Sequence, residues 1–169
     1  YFNEFFGRLR SWGYVYHRFD FLRAIPNGKG IRFYDSKMTR AQVYRLGMQL
    51  IRDALGPDAY ILACGGLYEA GIGLVDGQRS GCDVVASWRF HNYAPDRKTA
   101  QISDKQIIFR NFMNRLWHTD PDALMIRLRT EPFRPEEIRS HLTLGDYTDE
   151  EAFTQLVAQY LGGGNVTIA

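Results

Sequence analysis

The sequence predicts an α/β fold built on a parallel β-sheet. Helical and strand-like patterns alternate along its 169 residues in the order α-β-α-β-(β)-α-β-α-β. In such an order each helix is the crossover between two parallel strands of one sheet. The first predicted strand is rich in aromatic and β-branched residues, which is typical of a strand covered on both faces.

Two architectures fit this order of elements. A closed (β/α)₈ barrel needs about 250 residues, so a chain with about five predicted strands would supply only part of one. A doubly wound sheet is the alternative, although no G-x-G-x-x-G motif follows a first strand. The length of the chain is that of one domain.

Four helices are predicted from apolar residues that recur every three or four positions. The first helix ends at Gly13, and each of the others begins at a capping box, in which two residues cap each other across one turn. The boxes are Thr39 with Gln42, Ser103 with Gln106, and Thr148 with Glu151. The apolar positions are Phe2, Phe5, Phe6, Leu9 and Trp12; Val43, Gly47, Leu50, Ile51 and Ala54; Ile108, Phe112 and Leu116; and Phe153, Leu156, Val157, Tyr160 and Leu161.

The predicted strands cover residues 14–22, 60–64, 123–128 and 166–169, and residues 71–75 form a further short strand or an extended link. The first strand, YVYHRFDFL, carries Asp20 near its C-terminal end. A carboxylate in an apolar strand costs free energy unless it is paired, hydrogen-bonded or used. Ligands bind at the C-terminal ends of strands in parallel α/β folds, so Asp20 is a candidate functional residue.

The composition argues against several classes of protein. The net charge is +2 and the basic residues are scattered, which gives no reason to expect a nucleic-acid partner. Two cysteines, Cys64 and Cys82, are too few for a disulfide framework. No apolar run reaches the length of about 18 residues that a membrane span requires. No signal peptide is visible, and we interpret the chain as a piece of a longer protein. We expect a cytoplasmic location and no membrane partner.

Asp20 and Asp83 both stand at or just after the end of a predicted strand. Glycoside hydrolysis requires at least two carboxylates that face each other across a pocket. One attacks the anomeric carbon, and the other serves as acid and then as base. The structural alternative is that Asp20 pairs with Arg18 or a neighbouring strand and Asp83 caps a turn. We expect no metal site, because His17 and Asp20 face opposite sides of a strand and no third ligand is suitably spaced.

Four stretches of the chain carry family motifs in a fixed order. They are YVYHRFDFL, ILACGGLYEAGIGLVDGQRSGCDVVASW, FMNRLWHTDPDALMIR and EEAFTQLVAQYLGGGNVTIA. Together they resemble glycoside hydrolase family 36, the α-galactosidase family of clan D. That family has a Lys-x-Asp-Phe strand, a Leu-x-Cys-Gly stretch, a Val-Asp-Gly-x-Arg-x-Gly-x-Asp motif with a Trp five positions later, and an Arg and a Trp shortly before Asp-Pro-Asp.

The resemblance covers nearly the whole chain and implies a partial TIM (β/α)₈ barrel, comprising approximately strands 4 to 8. Carried over position by position, Asp20 falls on the catalytic nucleophile and Asp83 on the acid/base. The implied substrate-binding residues are Arg18, Cys64, Arg79 and Trp88. The later motif includes Arg115, Trp117, Asp120 and Asp122, which we assign to structure. For Cys64 the alternative is a small buried apolar residue.

The implied function is that of a retaining exo-α-glycosidase, and within that class an α-galactosidase. Its partner would be an oligosaccharide or glycoside substrate, and no cofactor is expected. Arg18 stands where the family has Lys, and Arg offers a planar fork of donors where Lys offers one compact charge. A related α-glycosidase or transglycosidase, for instance one acting on N-acetylgalactosamine, is therefore an alternative. A non-catalytic carbohydrate-binding barrel remnant is another.

The resemblance also implies that residues 1–169 form one part of a catalytic domain. Barrel strands 1 to 3 and an N-terminal β-domain would then lie outside this chain. The segment alone would expose sheet edges at residues 14–22 and 166–169. We therefore expect it to be inactive by itself, and either unstable or self-associating as a homo-oligomer.

Overall fold

The computed structural model describes residues 1–84, 100–124, 148–163 and 167–168. The chain forms two compact units, one made of Tyr1–Arg79 with Leu116–His118 and the other of Ser80–Arg115 with Thr119–Ala169. No helix within the described ranges combines the length and the apolar character needed to cross a membrane.

The first unit contains most of the predicted alternation of helices and strands. Its elements are α1 (Phe2–Ser11), β1 (Tyr16–Phe19), α2 (Ala24–Asn27), α3 (Arg40–Leu55), β2 (Tyr60–Ala63), α4 (Tyr68–Gly71) and β3 (Gly77–Arg79). Gly13 follows α1 with φ +85°, as expected of a helix stop. The first capping box is confirmed, because the Thr39 N–H donates to Gln42 Oε1 at 2.8 Å and the Gln42 N–H donates to Thr39 Oγ1 at 3.3 Å.

The strands of this unit are parallel, as predicted. β1 pairs with β2 from Tyr16 opposite Tyr60 to Phe19 opposite Ala63, and β2 pairs with β3 with Leu62 opposite Gly77. The larger sheet has the order β1-β2-β3-β4, in which β4 is His118–Asp120. Strands that follow one another in both sequence and space, with helices between them, are the arrangement of successive β/α units.

The first strand is less buried than its composition predicts. Val15 is 65% exposed and Tyr16 is 55% exposed, so the prediction of a strand covered on both faces is wrong. The reason is that β1 stands first in the strand order, and within the described residues it pairs only with β2. The core of this unit lies on α3 and β2 instead. Its buried residues include Tyr44, Met48, Ile51, Leu55, Ile61, Leu62 and Ala63.

The second unit contains α5 (Ala100–Phe109), a 3₁₀-helix (Asn111–Arg115), β5 (Ala123–Leu124), α6 (Asp149–Leu161) and β6 (Thr167–Ile168). β5 and β6 are parallel, and α5 packs against α6. The remaining residues of the two strands predicted here, 125–128, 166 and 169, lie outside the described part of the chain. The Thr148 capping box is confirmed by N–H to side-chain oxygen distances of 3.1 and 3.2 Å.

The predictions of a capping box at Ser103 and of a buried apolar stripe on α6 are wrong. Ser103 does not cap a helix, because α5 begins at Ala100 and Ser103 lies fully buried inside it. The predicted apolar stripe of α6 is exposed, with Phe153 at 66%, whereas Gln155 and Gln159 are completely buried. The Gln159 amide donates to the carbonyl of Ala123 at 3.2 Å, so this helix docks on β5 through an amide and not through its apolar stripe.

Candidate active site

Asp20 lies directly after the C-terminal end of β1, and its side chain is exposed. Its Oδ1 accepts a hydrogen bond from the Phe21 N–H at 2.6 Å. Phe21 has φ +55°, a left-handed conformation that bulky residues rarely adopt. Backbone strain of this kind persists where the surroundings enforce it, and it clusters at functional sites. The strained peptide therefore marks the end of β1 as a candidate site.

Cys64 is held beside Asp20 by the sheet itself. Its N–H donates to the carbonyl of Phe19 at 2.7 Å, and its own carbonyl accepts from the Leu22 N–H at 3.2 Å. The backbone of Cys64 is thus hydrogen-bonded to Phe19, which precedes Asp20, and to Leu22, which follows it. The Cys64 side chain is only 6% exposed, and its thiol lies close enough to the Asp20 carboxylate to lower the pKa of that group.

The surroundings of Asp20 favour its ionised form. Partial desolvation would raise its pKa, but hydrogen bonds from Phe21 and Cys64 and the positive charges of Arg18 and Arg79 together lower the pKa below its ordinary value. The Cys64 thiol shifts the other way. Burial is the main cause that raises the pKa of Cys64 to about 11, and the Asp20 carboxylate adds to the shift, while the two arginines oppose it. This arrangement pairs an anionic carboxylate with a neutral thiol donor.

The two arginines come from different strands and differ in exposure. Arg79 is the last residue of β3 and is 3% exposed, whereas Arg18 is in β1 and is exposed. The Tyr68 hydroxyl donates to the carbonyl of Arg79 at 3.1 Å and so helps to fix the end of β3. A buried guanidinium near Asp20 supplies a fixed positive charge, while Arg18 can reach a molecule in solvent.

The two glycines after Cys64 are required by the local backbone conformation and packing. Gly65 has φ +68°, which turns the chain sharply after β2. A Cβ atom on Gly66 would lie 2.2 Å from the hydroxyl oxygen of Tyr44, a fully buried residue of α3. The Cys-Gly-Gly sequence therefore allows β2 to end close to α3 while Cys64 stays beside Asp20.

Asp76 supports the site through contacts that no sequence pattern indicates. Its carboxylate forms an ion pair with Arg52 of α3 and accepts a hydrogen bond from the Ile61 N–H at 2.8 Å. It thereby ties the start of β3, the strand that carries Arg79, to β2 and α3. Arg52 and Asp76 are 24 positions apart and share no local pattern, so no short-range signal indicates this pair.

Asp83 belongs to the second unit and is exposed in a segment that follows β3. The segment is fixed by backbone hydrogen bonds on both sides of Asp83. The Cys82 N–H donates to Gln106 Oε1 at 2.8 Å, and the Val84 N–H donates to Asp122 Oδ2 at 2.8 Å. The Ser103 hydroxyl also donates to the carbonyl of Cys82 at 3.3 Å. The pair predicted to be a capping box, Ser103 and Gln106, therefore holds the Asp83 segment instead.

The start of this segment is equally constrained. The N–H and hydroxyl of Ser80 both donate to the carbonyl of Asp120, at 2.8 and 3.1 Å, and Arg110 donates to the carbonyl of Ser80. A Cβ atom on Gly81 would lie 2.6 Å from the Ser103 hydroxyl oxygen, so the close approach to α5 requires glycine there. Asp83 is consequently carried on a segment held by α5 and by the residues around Asp120.

The structure describes five of the six predicted site residues. Arg18, Cys64 and Arg79 lie close enough to Asp20 to affect its pKa, Asp83 is in the other unit, and Trp88 lies outside the described residues. Within the described ranges no three His, Cys, Asp or Glu side chains form a group that could hold a metal ion. The facing of Asp20 and Asp83 stays a prediction.

Comparison with known proteins identifies the fold. No protein-family model matches the chain. The chain is similar in structure to α-galactosidase from Thermus thermophilus in complex with stachyose, with a TM-score of 0.71 and 24% sequence identity over 99% of this chain and 33% of that one. The same enzyme in complex with p-nitrophenyl α-D-galactopyranoside matches with a TM-score of 0.70 and 24% identity over 98% of this chain and 31% of that one.

These matches confirm the predicted fold class. The parallel sheet with alternating helices is part of an α/β barrel, and the chain spans about a third of the length of the α-galactosidase that it resembles.

Proposed function

We propose that the full-length protein carrying this chain is a retaining exo-α-glycosidase of glycoside hydrolase family 36, with α-galactosides as its substrates. The observation that carries the proposal is the environment of Asp20, whose carboxylate is kept ionised at a strand end by a peptide N–H, a buried thiol and two arginines. The barrel fold shared with an α-galactosidase supports it, as do the ordered motifs of the sequence.

In the proposed reaction the Asp20 carboxylate attacks C1 of the sugar while the Asp83 carboxyl gives its proton to the departing glycosidic oxygen. The C1–oxygen bond breaks and a glycosyl ester of Asp20 forms. The Asp83 carboxylate then takes a proton from water, and the resulting hydroxide attacks C1 and releases Asp20. Two inversions at C1 give net retention of configuration.

This mechanism makes two structural demands. The two carboxyl groups must lie about 5–5.5 Å apart for retention, and Asp83 must have a raised pKa so that it is protonated near neutral pH. A crystal structure of the full-length protein with a bound sugar would measure the first. A separation near 9 Å would instead fit an inverting enzyme.

The position of Arg18 supports an α-N-acetylgalactosaminide as a second candidate substrate. It is exposed and close enough to Asp20 to lower the pKa of that residue. A bound sugar would therefore come near a planar guanidinium where the family has an ammonium group. An α-N-acetylgalactosaminide, whose amide oxygen can accept from such a fork, is the alternative substrate.

The experiment is an assay of the full-length protein on a panel of aryl α-glycosides, beside Asp20→Ala and Asp83→Ala. Turnover of the α-galactoside that both substitutions abolish would support the proposal. Turnover of the N-acetylgalactosaminide alone would keep the mechanism and change the sugar. If no member of the panel is turned over while sugars still bind, the protein is a non-catalytic carbohydrate-binding barrel.

A further inference from the structure

Asp122 has an unusual backbone conformation beside the segment that carries Asp83. Its φ is +77°, in the left-handed region that L-residues other than Asn, Asp and Gly seldom occupy. Its N–H donates to Asp120 Oδ1 at 2.9 Å, which closes a tight turn around the buried Pro121. The turn therefore holds the Asp122 side chain in a defined position.

The contact that Asp122 makes is distant in sequence and adjacent to the candidate acid/base. Its Oδ2 accepts a hydrogen bond from the Val84 N–H at 2.8 Å, across 38 positions of the chain. Val84 is the residue directly after Asp83, and its side chain is 6% exposed. A carboxylate that accepts from a peptide N–H makes one of the stronger hydrogen bonds available to a backbone.

We propose that Asp122 is the positioning residue for the general acid/base Asp83, acting through the Val84 peptide. This inference rests on the proposed function. The Gln106 amide fixes the peptide before Asp83 and the Asp122 carboxylate fixes the peptide after it, so Asp122 sets the direction in which the Asp83 side chain leaves the backbone. A displaced acid donates its proton poorly, because proton transfer depends on distance and alignment.

Two substitutions separate positioning from general folding. Asp122→Gly removes the acceptor and should leave the turn intact, because glycine adopts a φ of +77° without strain. Asp122→Asn is the matched control, because asparagine also tolerates this conformation and its amide oxygen can still accept from Val84. A thermal melt of each variant in the full-length protein checks that both are folded.

The measurement is kcat/KM on two α-galactosides, since this quantity reports the steps up to formation of the glycosyl-enzyme. Methyl α-galactoside has a poor leaving group that needs the acid, whereas 2,4-dinitrophenyl α-galactoside has a leaving group that departs without a proton. We expect Asp122→Gly to lower kcat/KM for the methyl glycoside by about tenfold to 100-fold and to leave the dinitrophenyl glycoside within about threefold. Asp122→Asn should keep the wild-type ratio between the two substrates.

Equal losses on both substrates, or no loss on either, would overturn the positioning role. So would an Asp122→Asn variant with the same change of ratio as Asp122→Gly, because the hydrogen-bond acceptor would then not be what matters. Failure of the proposed function looks different: the wild-type protein would turn over neither galactoside, or Asp83→Ala would retain full activity on the methyl glycoside.

Discussion

The contacts described at Asp20 and those described around Asp83 fall on different groups. At Asp20 the contacts fall on the carboxylate itself, from the Phe21 N–H, the Cys64 thiol and two positive charges. Around Asp83 they fall on the neighbouring peptides, at Cys82 and Val84. A nucleophile has to stay ionised, so contacts that stabilise its charge serve it, whereas an acid/base must change protonation state twice in each cycle. Hydrogen bonds to the peptides on both sides would fix the position of the proposed acid/base Asp83.

The largest expected effect separates the two roles by stereochemistry. Asp20→Gly and Asp83→Gly should each lower kcat on an aryl α-galactoside, by on the order of 10⁴-fold or more for Asp20 and about 10²–10⁴-fold for Asp83. Azide is small enough to enter either vacated position. In Asp20→Gly it should replace the nucleophile and give the β-galactosyl azide, whereas in Asp83→Gly it should attack the glycosyl-enzyme and give the α-galactosyl azide.

Identification of the two azides by NMR checks this difference. If both variants gave the same anomer, or if the anomers were exchanged, the roles assigned to Asp20 and Asp83 would be wrong. Asp58→Asn, at an exposed position, is a suitable control for general effects of removing a carboxylate.

The next effect concerns the exposed arginine of the Asp20 site. Arg18→Lys replaces the planar fork by a compact ammonium group. We expect the ratio of kcat/KM for the α-galactoside to that for the α-N-acetylgalactosaminide to rise by about tenfold, with Asp20→Ala still inactive on both. Steady-state kinetics on the two p-nitrophenyl glycosides gives the ratio. An unchanged ratio would mean that Arg18 does not discriminate between the two sugars.

A smaller effect should follow from loss of the thiol. Cys64→Ala removes a hydrogen bond that lowers the pKa of Asp20, so the acidic limb of the kcat/KM profile should move to higher pH and activity below the limb should fall by about two- to fivefold. Cys64→Ser retains a donor and should keep the limb near its wild-type position. Cys82→Ala is the matched control, because the Cys82 contact with Gln106 is made by its backbone N–H. Movement of the limb to lower pH in Cys64→Ala would contradict this account of the thiol.

The smallest expected effect is on stability. It concerns α5, the helix that holds the segment carrying Asp83. Asp104 in α5 is 4% exposed, neither of its carboxyl oxygens has a hydrogen-bond partner among the described residues, and burial raises its pKa to about 7. Because this pKa is above the unfolded value of about 3.9, the contribution of Asp104 to stability is present in acid and is lost as pH rises through about 7. The lowered pKa of Asp20 gives the opposite trend, with a contribution that is lost as pH falls.

Asp104→Asn should therefore flatten the fall in melting temperature between about pH 4 and 7 and raise the free energy of unfolding above pH 7 by about 1–3 kcal/mol. Thermal melts of the full-length protein across this pH range measure both. Hydrogen exchange of the α5 amides would localise the change to the second unit. A variant with the slope of the wild type would mean that Asp104 is not the titrating group.

Local patterns predicted those features that depend on neighbours in sequence. The helix stop at Gly13 and the capping boxes at Thr39 and Thr148 satisfy groups within one turn, and all three are found as predicted. The position of Asp20 at a strand end could also be predicted, because the strand and the acid lie in one short stretch.

Features that depend on partners distant in the sequence could not be predicted from local patterns. Ser103 and Gln106 have capping-box spacing, yet their side chains bond to Cys82, 21 and 24 positions away. The amides Gln155 and Gln159 are buried in α6 while Phe153 is exposed, since burial follows the packing partner and not the hydropathy of the helix. Nothing in a single sequence pairs Asp122 with Val84.

The identity of the nucleophile is tested most directly by trapping the covalent intermediate in the full-length protein. A fluorinated α-galactosyl fluoride, which slows breakdown of the glycosyl-enzyme, would be incubated with the protein, and the labelled peptide would be sequenced by mass spectrometry. We expect one sugar per chain, attached as an ester to Asp20 in the stretch YVYHRFDFL. A label on Asp83 or on any other residue would contradict it.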